Sequence, residues 1–192
     1  MNRYVFASIR MAVVTLLVLG LAYPLAMTGL SQVLMPAQAN GSLVTSADGT
    51  VIGSALIGQN FTDAKYFHGR PSAAGADGYD ASASSASNLA PTSQTLFDAV
   101  SARVASAVAE NPGLTSGSVP VDMVTASGSG LDPDITLANA YAQMARVASA
   151  RGMTESAIRA IVDKTATGRQ FGILGEPRVN VLALNLAIDA AK

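Results

Sequence analysis

Apolar residues are concentrated near the N-terminus of this 192-residue chain. No residue between Arg10 and Asp48 is charged, and residues 11–35 read MAVVTLLVLGLAYPLAMTGLSQVLM, with Gln32 as the one strongly polar side chain. Roughly 20 helical residues cross the hydrocarbon core of a bilayer, so this stretch is long enough to span one with some tilt. The pattern predicts a transmembrane helix over residues 11–35, with a kink at Pro24.

A cleaved signal peptide is the alternative interpretation of this stretch. Arg3 and Arg10 form a basic N-terminal region, and Ala37-Gln38-Ala39 has the small-x-small form of a cleavage site. The apolar part of a signal peptide is usually about 7 to 15 residues long, which is shorter than the stretch here. We therefore favour a retained anchor, and keep a secreted binding protein with its mature N-terminus at Asn40 as the second interpretation.

The basic residues around the apolar stretch predict its orientation. Arg3 and Arg10 precede it, and the next basic residue is Lys65. Basic residues close to a span are retained in the cytoplasm. The pattern predicts a short cytoplasmic N-terminus over residues 1–10 and an extracytoplasmic domain over residues 36–192.

One face of the predicted helix carries mostly small side chains at alternating spacings of four and three residues. Small residues at this spacing let the backbone of a second membrane helix approach closely. The pattern suggests a face that contacts a partner helix, with chance in an alanine-rich chain as the alternative. The face consists of Thr15, Leu19, Ala22, Ala26, Gly29 and Val33.

Short strand patterns and helical stripes follow the apolar stretch. Residues 51–58 and 119–125 have the pattern of strands, the second confined to a sheet edge by Pro120. Residues 66–91 have no periodicity and predict a long loop.

Four helices are predicted from apolar stripes that each follow a capping residue. Their predicted starts are Thr92-Ser93, Thr136, Thr154 and Asn180, and the first two are predicted to end at Asn111-Pro112 and Arg151-Gly152. Two or three strands with four helices predict an α+β fold, in which one extracytoplasmic mixed α/β domain follows a single transmembrane helix.

The charged residues argue against a nucleic acid partner and divide the chain into two halves. The net charge is −1 and Lys and Arg form no cluster that would bind phosphates. The chain has no cysteine, which excludes disulfides and thiolate metal sites. Residues 48–134 contain nine acidic and three basic side chains, whereas residues 135–192 contain four acidic and seven basic ones.

Catalytic motifs are missing from the sequence. No glycine is followed by lysine, so there is no phosphate-binding loop of the G-x-x-x-x-G-K-[ST] type. Ser-His-Asp chemistry would have to use His68, the single histidine. We predict no catalytic residue, metal site or cofactor of the chain's own, and keep a membrane-anchored serine hydrolase that uses His68 as an alternative.

A series of short segments follows the predicted span in a specific order. They are residues 38–42 (QANGS), 53–61 (GSALIGQNF), 66–72 (YFHGRPS), 87–89 (SNL), 119–122 (VPVD), 124–127 (VTAS), 129–132 (SGLD), 146–148 (RVA), 150–151 (AR), 179–181 (VNV) and 184–186 (LNL). With these segments the chain resembles the C subunit of the Kdp potassium-transporting ATPase, over about residues 23–189.

The resemblance implies a subunit of a bacterial inner-membrane complex with a periplasmic domain. The implied partners are a channel-like potassium-translocating subunit, a P-type ATPase subunit and a small single-span peptide, besides membrane lipid. The resemblance implies that the complex binds and hydrolyses ATP and uses Mg²⁺ and potassium. None of these three is implied to be a cofactor of this chain. The C subunit is implied to assemble or stabilise the complex and, as a catalytic chaperone, to raise the affinity of the ATPase subunit for ATP.

Two hypotheses combine this resemblance with the predicted orientation. ATP is cytoplasmic and only residues 1–10 are predicted to be so, hence we expect any effect on ATP affinity to pass through the membrane helices. The second hypothesis is that the long loop and the acidic half cover the external mouth of the translocating subunit, where Asp77, Asp80 and Asp132 would shape the path of external potassium. The alternative explanation of the charge asymmetry is that it lets two layers of the domain attract each other.

Overall fold

A single long helix forms most of the N-terminal unit. In the computed structural model, which describes residues 2–46 and 48–191, the chain divides into two compact units between Ile52 and Gly53. The helix runs over Asn2–Leu34 and is long and apolar enough to cross a membrane. The predicted apolar helix is confirmed and begins closer to the N-terminus than residue 11, whereas membrane boundaries at residues 11 and 35 stay a prediction.

Pro24 lies just after a change in helix geometry. A π-helical turn over Val18–Ala22 joins α1 (Asn2–Leu17) to α2 (Tyr23–Leu34). The Tyr23 amide donates to the Val18 carbonyl, five residues earlier. In a regular helix the proline ring collides with the carbonyl of the fourth residue before it, and a wider turn at this point relieves the collision. The helix therefore continues past Pro24.

A short connection follows the long helix. It contains α3 (Pro36–Ala39) and β1 (Leu43–Thr45), and β1 pairs with β2 (Val51–Ser54). The side-chain amides of Gln32 and Asn40 donate to each other, at 3.3 and 3.1 Å. This reciprocal pair holds α3 against the end of α2.

The hydrophobic core of the second unit lies among three helices and a small antiparallel sheet. The helices are α6 (Leu137–Arg151), α7 (Glu155–Thr165) and α8 (Val181–Asp189), and the sheet pairs β3 (Asp134–Thr136) with β4 (Arg178–Asn180). Apolar side chains from all five elements and one loop residue, Phe67, are buried together. The buried members are Phe67, Ile135, Ala140, Met144, Val147, Ala148, Ile158, Val162, Val179, Val181, Leu184 and Ile188.

Side-chain caps begin these three helices where the sequence predicts. Thr136, Thr154 and Asn180 each accept a hydrogen bond from the backbone amide three residues later. Gly152 ends α6 in the left-handed conformation, with φ of 65°. The predicted starts of α6, α7 and α8 and the end of α6 are confirmed.

The segment before β3 differs from the sequence prediction. The predicted helix after Ser93 is confirmed as α4 (Gln94–Glu110). The strand predicted over residues 119–125 is wrong, because Val121–Val124 form a single helical turn, α5. Pro120 is extended and suits the start of a helix, and four alternating residues do not distinguish a strand from one helical turn.

The strand predicted over residues 51–58 is shorter than expected. Only Val51–Ser54 is extended, and the chain then turns so that the Gly58 amide donates to the Leu131 carbonyl at 2.8 Å. A Cβ atom at Gly58 would lie 2.6 Å from the Asp132 carbonyl oxygen, so this close approach requires glycine.

The number of strands is higher than predicted. Within residues 2–46 and 48–191 the structure has four strands in two sheets, whereas the sequence predicts two or three strands. The predicted loop over residues 66–91 is irregular apart from a 3₁₀ turn at Ala81–Ala83. The α+β class, with one N-terminal apolar helix, is confirmed.

Asp122 connects α5 to the start of α6. Its carboxylate accepts from the Thr136 amide at 2.8 Å, the Thr136 hydroxyl at 3.0 Å and the Asn139 side-chain amide at 3.0 Å. Asp122 and Asn139 are buried. A carboxylate at the N-terminus of a helix also interacts favourably with its dipole.

We predict that Asp122→Ala destabilises the chain by about 3 kcal/mol, because it leaves buried donors without an acceptor. Asp98→Ala, at an exposed carboxylate of α4, is the matched control and is expected to change the free energy of unfolding by less than about 0.5 kcal/mol. Denaturant unfolding of the full chain in detergent measures both. Equal effects of the two substitutions would contradict this role of Asp122.

Candidate functional site

A buried loop residue, Phe67, organises the polar interior of the second unit. Its ring is in the core, so its peptide groups are also removed from water. Asn185 of α8 bonds both of them: its side-chain oxygen accepts from the Phe67 amide at 2.8 Å, and its side-chain nitrogen donates to the Phe67 carbonyl at 3.0 Å. The amide side chain thus replaces the neighbouring strand that would satisfy these groups in a sheet.

Gln143 of α6 repeats this arrangement on the next residue. Its Oε1 accepts from the His68 amide at 2.8 Å, and its Nε2 donates to the His68 carbonyl at 3.1 Å. Nε2 also donates to Asn139 Oδ1 at 2.7 Å, and Oε1 accepts from Arg146 at 2.6 Å. All four hydrogen-bonding positions of the Gln143 amide are therefore occupied within the chain.

Arg146 is a buried cation whose acceptors are mainly neutral. It is 7% exposed. Its guanidinium donates to the carbonyls of Ala64 and Tyr66 at 2.8 and 3.0 Å, and to the Asn111 side chain at 3.1 Å. Burial lowers the pKa of Arg146 while the Glu110 carboxylate acts in the opposite direction, and the group stays charged at physiological pH.

Arg151 holds the same loop one turn further along α6. Its Nε donates to the Lys65 carbonyl at 2.7 Å, and its guanidinium pairs with Asp189 of α8. It also lies over the Tyr66 ring, 5.0 Å from the ring centre. Two arginines thus fix residues 64–66 against α6.

His68 lies next to the buried arginine. Its Nε2 is 3.2 Å from Arg146 Nη1 and 3.2 Å from the Asp63 carbonyl, and its Nδ1 is 3.7 Å from Glu110. Burial, and then the charge of Arg146, lower the pKa of His68, against weaker opposite effects from Asp63 and Glu110. Only an unprotonated Nε2 accepts from Arg146. Within the described residues, the hydrogen-bond and ion-pair partners of the ring are thus Arg146, Asp63 and Glu110, and none is a serine hydroxyl.

The long loop that follows is ordered by Ser72 and Tyr79. Ser72 Oγ donates to the Gly130 carbonyl at 2.6 Å and accepts from the amides of Ala74 and Tyr79. The Tyr79 hydroxyl donates to the Arg70 carbonyl at 2.6 Å. Burial, with a smaller contribution from the Asp132 charge, raises the pKa of Tyr79 to about 12, so this hydroxyl remains a donor.

An open cavity of about 500 Å³ lies between this loop and α4. Arg103, Ser106 and Glu110 line it from α4, and Asp77 and Tyr79 from the loop. Arg103 also donates to the Val124 carbonyl at 3.1 Å, which fixes its position. Within the described residues, no three His, Asp or Glu side chains are grouped to hold a metal ion.

The three acidic residues predicted to shape the potassium path occupy different environments. Asp77 lines the cavity, is exposed, and makes no hydrogen bond or ion pair in the part of the chain that the structure describes. Asp132 pairs with Arg70 at 2.9 Å. Asp80 accepts from the hydroxyl and amide of Ser82, which lower its pKa. Their role with potassium stays a prediction.

The predicted partner face of the long helix is exposed along its length. The π-helical turn lies between Thr15 and Ala26, so the face is rotated there relative to a regular helix. Thr15 and Leu19 line a shallow groove on the N-terminal side. Ala22, Ala26, Gly29 and Val33 are also exposed, and a Cβ atom added at Gly29 would meet no atom within 4 Å. The face has the side chains needed for close helix contact, and the contact itself stays a prediction.

The sequence interpretation did not identify the roles of Gln143, Arg146 and Asn185. No local signal indicated the roles of the two α6 residues, because Gln143 and Arg146 lie outside the predicted apolar stripe of α6, where polar side chains usually face solvent. Their acceptors lie about 80 positions away in a loop without periodicity. Neither the burial of these residues nor their partners could therefore be predicted from the local pattern.

We predict that the stability of the chain falls as the pH decreases from about 7 towards 5. The unfolded state protonates His68 near its ordinary pKa of about 6.5, whereas the folded state resists protonation because its pKa is lowered. The unfolded state then binds more protons, and the free energy of unfolding falls by up to about 1.4 kcal/mol per pH unit. Unfolding of the full chain measured against pH tests this expectation.

The control for this experiment is His68→Gln, whose side-chain oxygen can still accept from Arg146. The His68→Gln variant is expected to lose the fall in stability between pH 7 and 5. The fall in stability below pH 5, which comes from the carboxylates, is expected to remain. Parallel curves for the two proteins between pH 7 and 5 would contradict the assignment to His68.

Comparison with known proteins identifies the family of this chain. Residues 5–190 match the family model described as KdpC: K⁺-transporting ATPase, c chain. Two similar proteins are named potassium-transporting ATPase KdpC subunit. The protein of Rhodospirillum rubrum is 60% identical over 95% of this chain and 93% of its own length, and that of Caulobacter vibrioides is 56% identical over 96% and 91%. This chain therefore belongs to the KdpC family of K⁺-transporting ATPase c chains.

Proposed function

We propose that the chain is a non-catalytic accessory subunit of an ATP-driven potassium uptake complex, needed for its assembly and stability. The observation that carries the proposal is the use of the polar side chains of α6 and α8 that face the loop around Phe67. Gln143, Arg146 and Asn185 form hydrogen bonds with a loop of the chain itself. This use supports a scaffold that presents a fixed surface to other subunits.

The proposed arrangement places the long helix in the bacterial inner membrane with its N-terminus in the cytoplasm. Its support is the apolar helix over Asn2–Leu34, together with Arg3 and Arg10 in its first part. The second unit is then periplasmic. The proposed partners are a potassium-translocating subunit, a P-type ATPase subunit and a small single-span subunit, and the ATP, Mg²⁺ and potassium used by the complex bind to those partners.

We further propose that the chain raises the ATP affinity of the complex indirectly, as a catalytic chaperone. Gln143 lines the cavity with an amide that has no remaining hydrogen-bonding position for a nucleotide. The proposed periplasmic location also separates this cavity from cytoplasmic ATP. The effect therefore requires that the long helix contacts its partners differently in two states of the ATPase subunit.

We predict that Gly29→Leu in the assembled complex raises the apparent KM for ATP by roughly 5-fold or more, the lower end of usual coupling effects. The larger side chain prevents close approach of a partner helix and meets no atom of this chain near its Cβ. Thr28→Leu, about 100° around the same helix, is the matched control and is expected to leave the KM nearly unchanged. ATPase assays of the purified complex measure both.

A variant of the cavity distinguishes indirect coupling from the alternative, in which ATP binds directly to the cavity of this chain. Ser106→Leu narrows the cavity and is expected to leave the KM for ATP unchanged. A raised KM in Ser106→Leu together with an unchanged KM in Gly29→Leu would contradict indirect coupling. Competable labelling of the cavity by a photoactivatable ATP analogue in the complex would contradict it as well.

The path of external potassium is a second proposed role, supported by the unpaired Asp77 carboxylate on the cavity. We predict that Asp77→Asn raises the apparent KM for potassium about twofold at low ionic strength, with a smaller effect as added salt screens the charge. Asp98→Asn is the control on α4. Asp80 and Asp132 are expected to contribute less, because Ser82 and Arg70 already engage them. An unchanged KM in an assembled Asp77→Asn complex would remove this role.

A further inference from the structure

A short hairpin between α7 and β4 exposes three large apolar side chains in four residues. Phe171 is 91% exposed, Ile173 75% and Leu174 54%. We call residues 169–176 the apolar finger. Single exposed apolar residues are normal on protein surfaces, but several together indicate a surface that contacts something else.

The apolar finger is held in one conformation by its own contacts. Arg169 donates to both carboxylate oxygens of Glu176, at 2.8 and 2.7 Å. Gln170 and Leu174 exchange two backbone hydrogen bonds of 2.9 Å. Phe171 has a positive φ of 54°, so its ring is presented at a tight turn. The exposed side chains are therefore arranged before any partner binds.

The base of the apolar finger continues into the core of the second unit. Thr167 and Arg178 exchange backbone hydrogen bonds of 2.8 and 3.0 Å, and Arg178 also pairs with Thr136 in the small sheet. The Arg178 guanidinium lies 2.8 Å from Asp134. The next residue, Val179, is completely buried. The finger is thus joined to the small sheet by backbone hydrogen bonds at its base.

A second copy of the chain is a poor occupant for this surface. Three side chains that each cover roughly 150 Å² bury about 450 Å², whereas a standard interface buries about 800 Å² on each partner. A symmetric contact through the finger alone is too small to hold two copies together. The finger instead suits a partner that other contacts already keep nearby.

The lipid surface is also a poor match, because its binding usually combines apolar insertion with free basic residues. Arg169 pairs with Glu176, and Arg178 pairs with Asp134. Residues 36–192 hold all 13 acidic side chains and ten of the 12 basic ones, since Arg3 and Arg10 precede them, which gives a net charge of −3. An acidic domain with paired arginines at the finger gains nothing from anionic headgroups.

We infer that the apolar finger inserts into an apolar pocket on the extracytoplasmic side of a membrane-embedded subunit of the potassium-transporting complex. This inference rests on the proposed function. A rigid aromatic residue that enters a matching pocket loses little conformational freedom and is a frequent centre of binding energy. The long helix keeps the chain beside its partner, so a small contact area is enough.

Site-specific photocrosslinking in the complete complex tests the inference. Phe171 is replaced by p-benzoylphenylalanine in the full chain, which is expressed with the other subunits and irradiated in membranes. The expected result is a covalent adduct with a membrane-embedded subunit of the complex, identified by mass spectrometry. Phe97, which is 68% exposed on α4, receives the same crosslinker as the matched control and is expected to give at most a tenth of that adduct.

The remaining outcomes overturn the inference. Adducts with lipid alone, adducts with a second copy of the chain, and an adduct yield equal to that of Phe97 each exclude insertion into a subunit pocket. Co-purification of the unmodified chain keeps the two proposals distinguishable. If it does not co-purify with the other subunits, the proposed function fails; if it does and Phe171 forms no subunit adduct, only the finger assignment fails.

A second variant measures the contribution of the finger to binding. Phe171→Ser combined with Ile173→Ser is expected to reduce retention of the chain in the complex on the order of tenfold, while Phe97→Ser leaves it unchanged. Both sites are exposed, so circular dichroism of the two variants is expected to match the unmodified chain. Equal retention of the two variants would overturn the inference.

Discussion

The second unit depends on the burial of Phe67, a residue in a loop and not in a strand or helix. When its ring enters the core, the peptide groups on both sides lose contact with water and require partners. Asn185 and Gln143 supply them as two side-chain amides, and Arg146 covers the carbonyls just before. The backbone of the loop is therefore hydrogen-bonded as it would be in a sheet, but by side chains instead of a neighbouring strand.

This constraint separates the residues that build the interior from those that face outward. Most polar residues of the family segments form hydrogen bonds or ion pairs with other groups of the chain. The exposed features are the face of the long helix, the cavity beside α4 and the apolar finger. A rigid interior keeps the cavity and the apolar finger at fixed positions on the second unit. A subunit that stabilises larger partners requires surfaces at fixed positions and does not require catalytic residues.

The sequence predicted the elements whose signals are local. Helices α6, α7 and α8 combine apolar stripes with caps at Thr136, Thr154 and Asn180, so their starts were found. Helix α5 was missed, because four residues carry too little periodicity and its carboxylate is held by groups of the following helix. The partners of Arg146 and the exposure of the apolar finger depend on tertiary structure, and no local pattern shows them.

Hydrogen exchange of the full chain with Arg146→Lys tests the central claim most directly. Lysine keeps the charge but cannot reach the carbonyls of Ala64 and Tyr66 together with the Asn111 side chain. The account predicts that the amides of Phe67 and His68 exchange at least about tenfold faster than in the unmodified chain, while the amides of α7 keep their protection. Unchanged exchange at Phe67 and His68 in the folded variant would contradict the claim that Arg146 holds this loop.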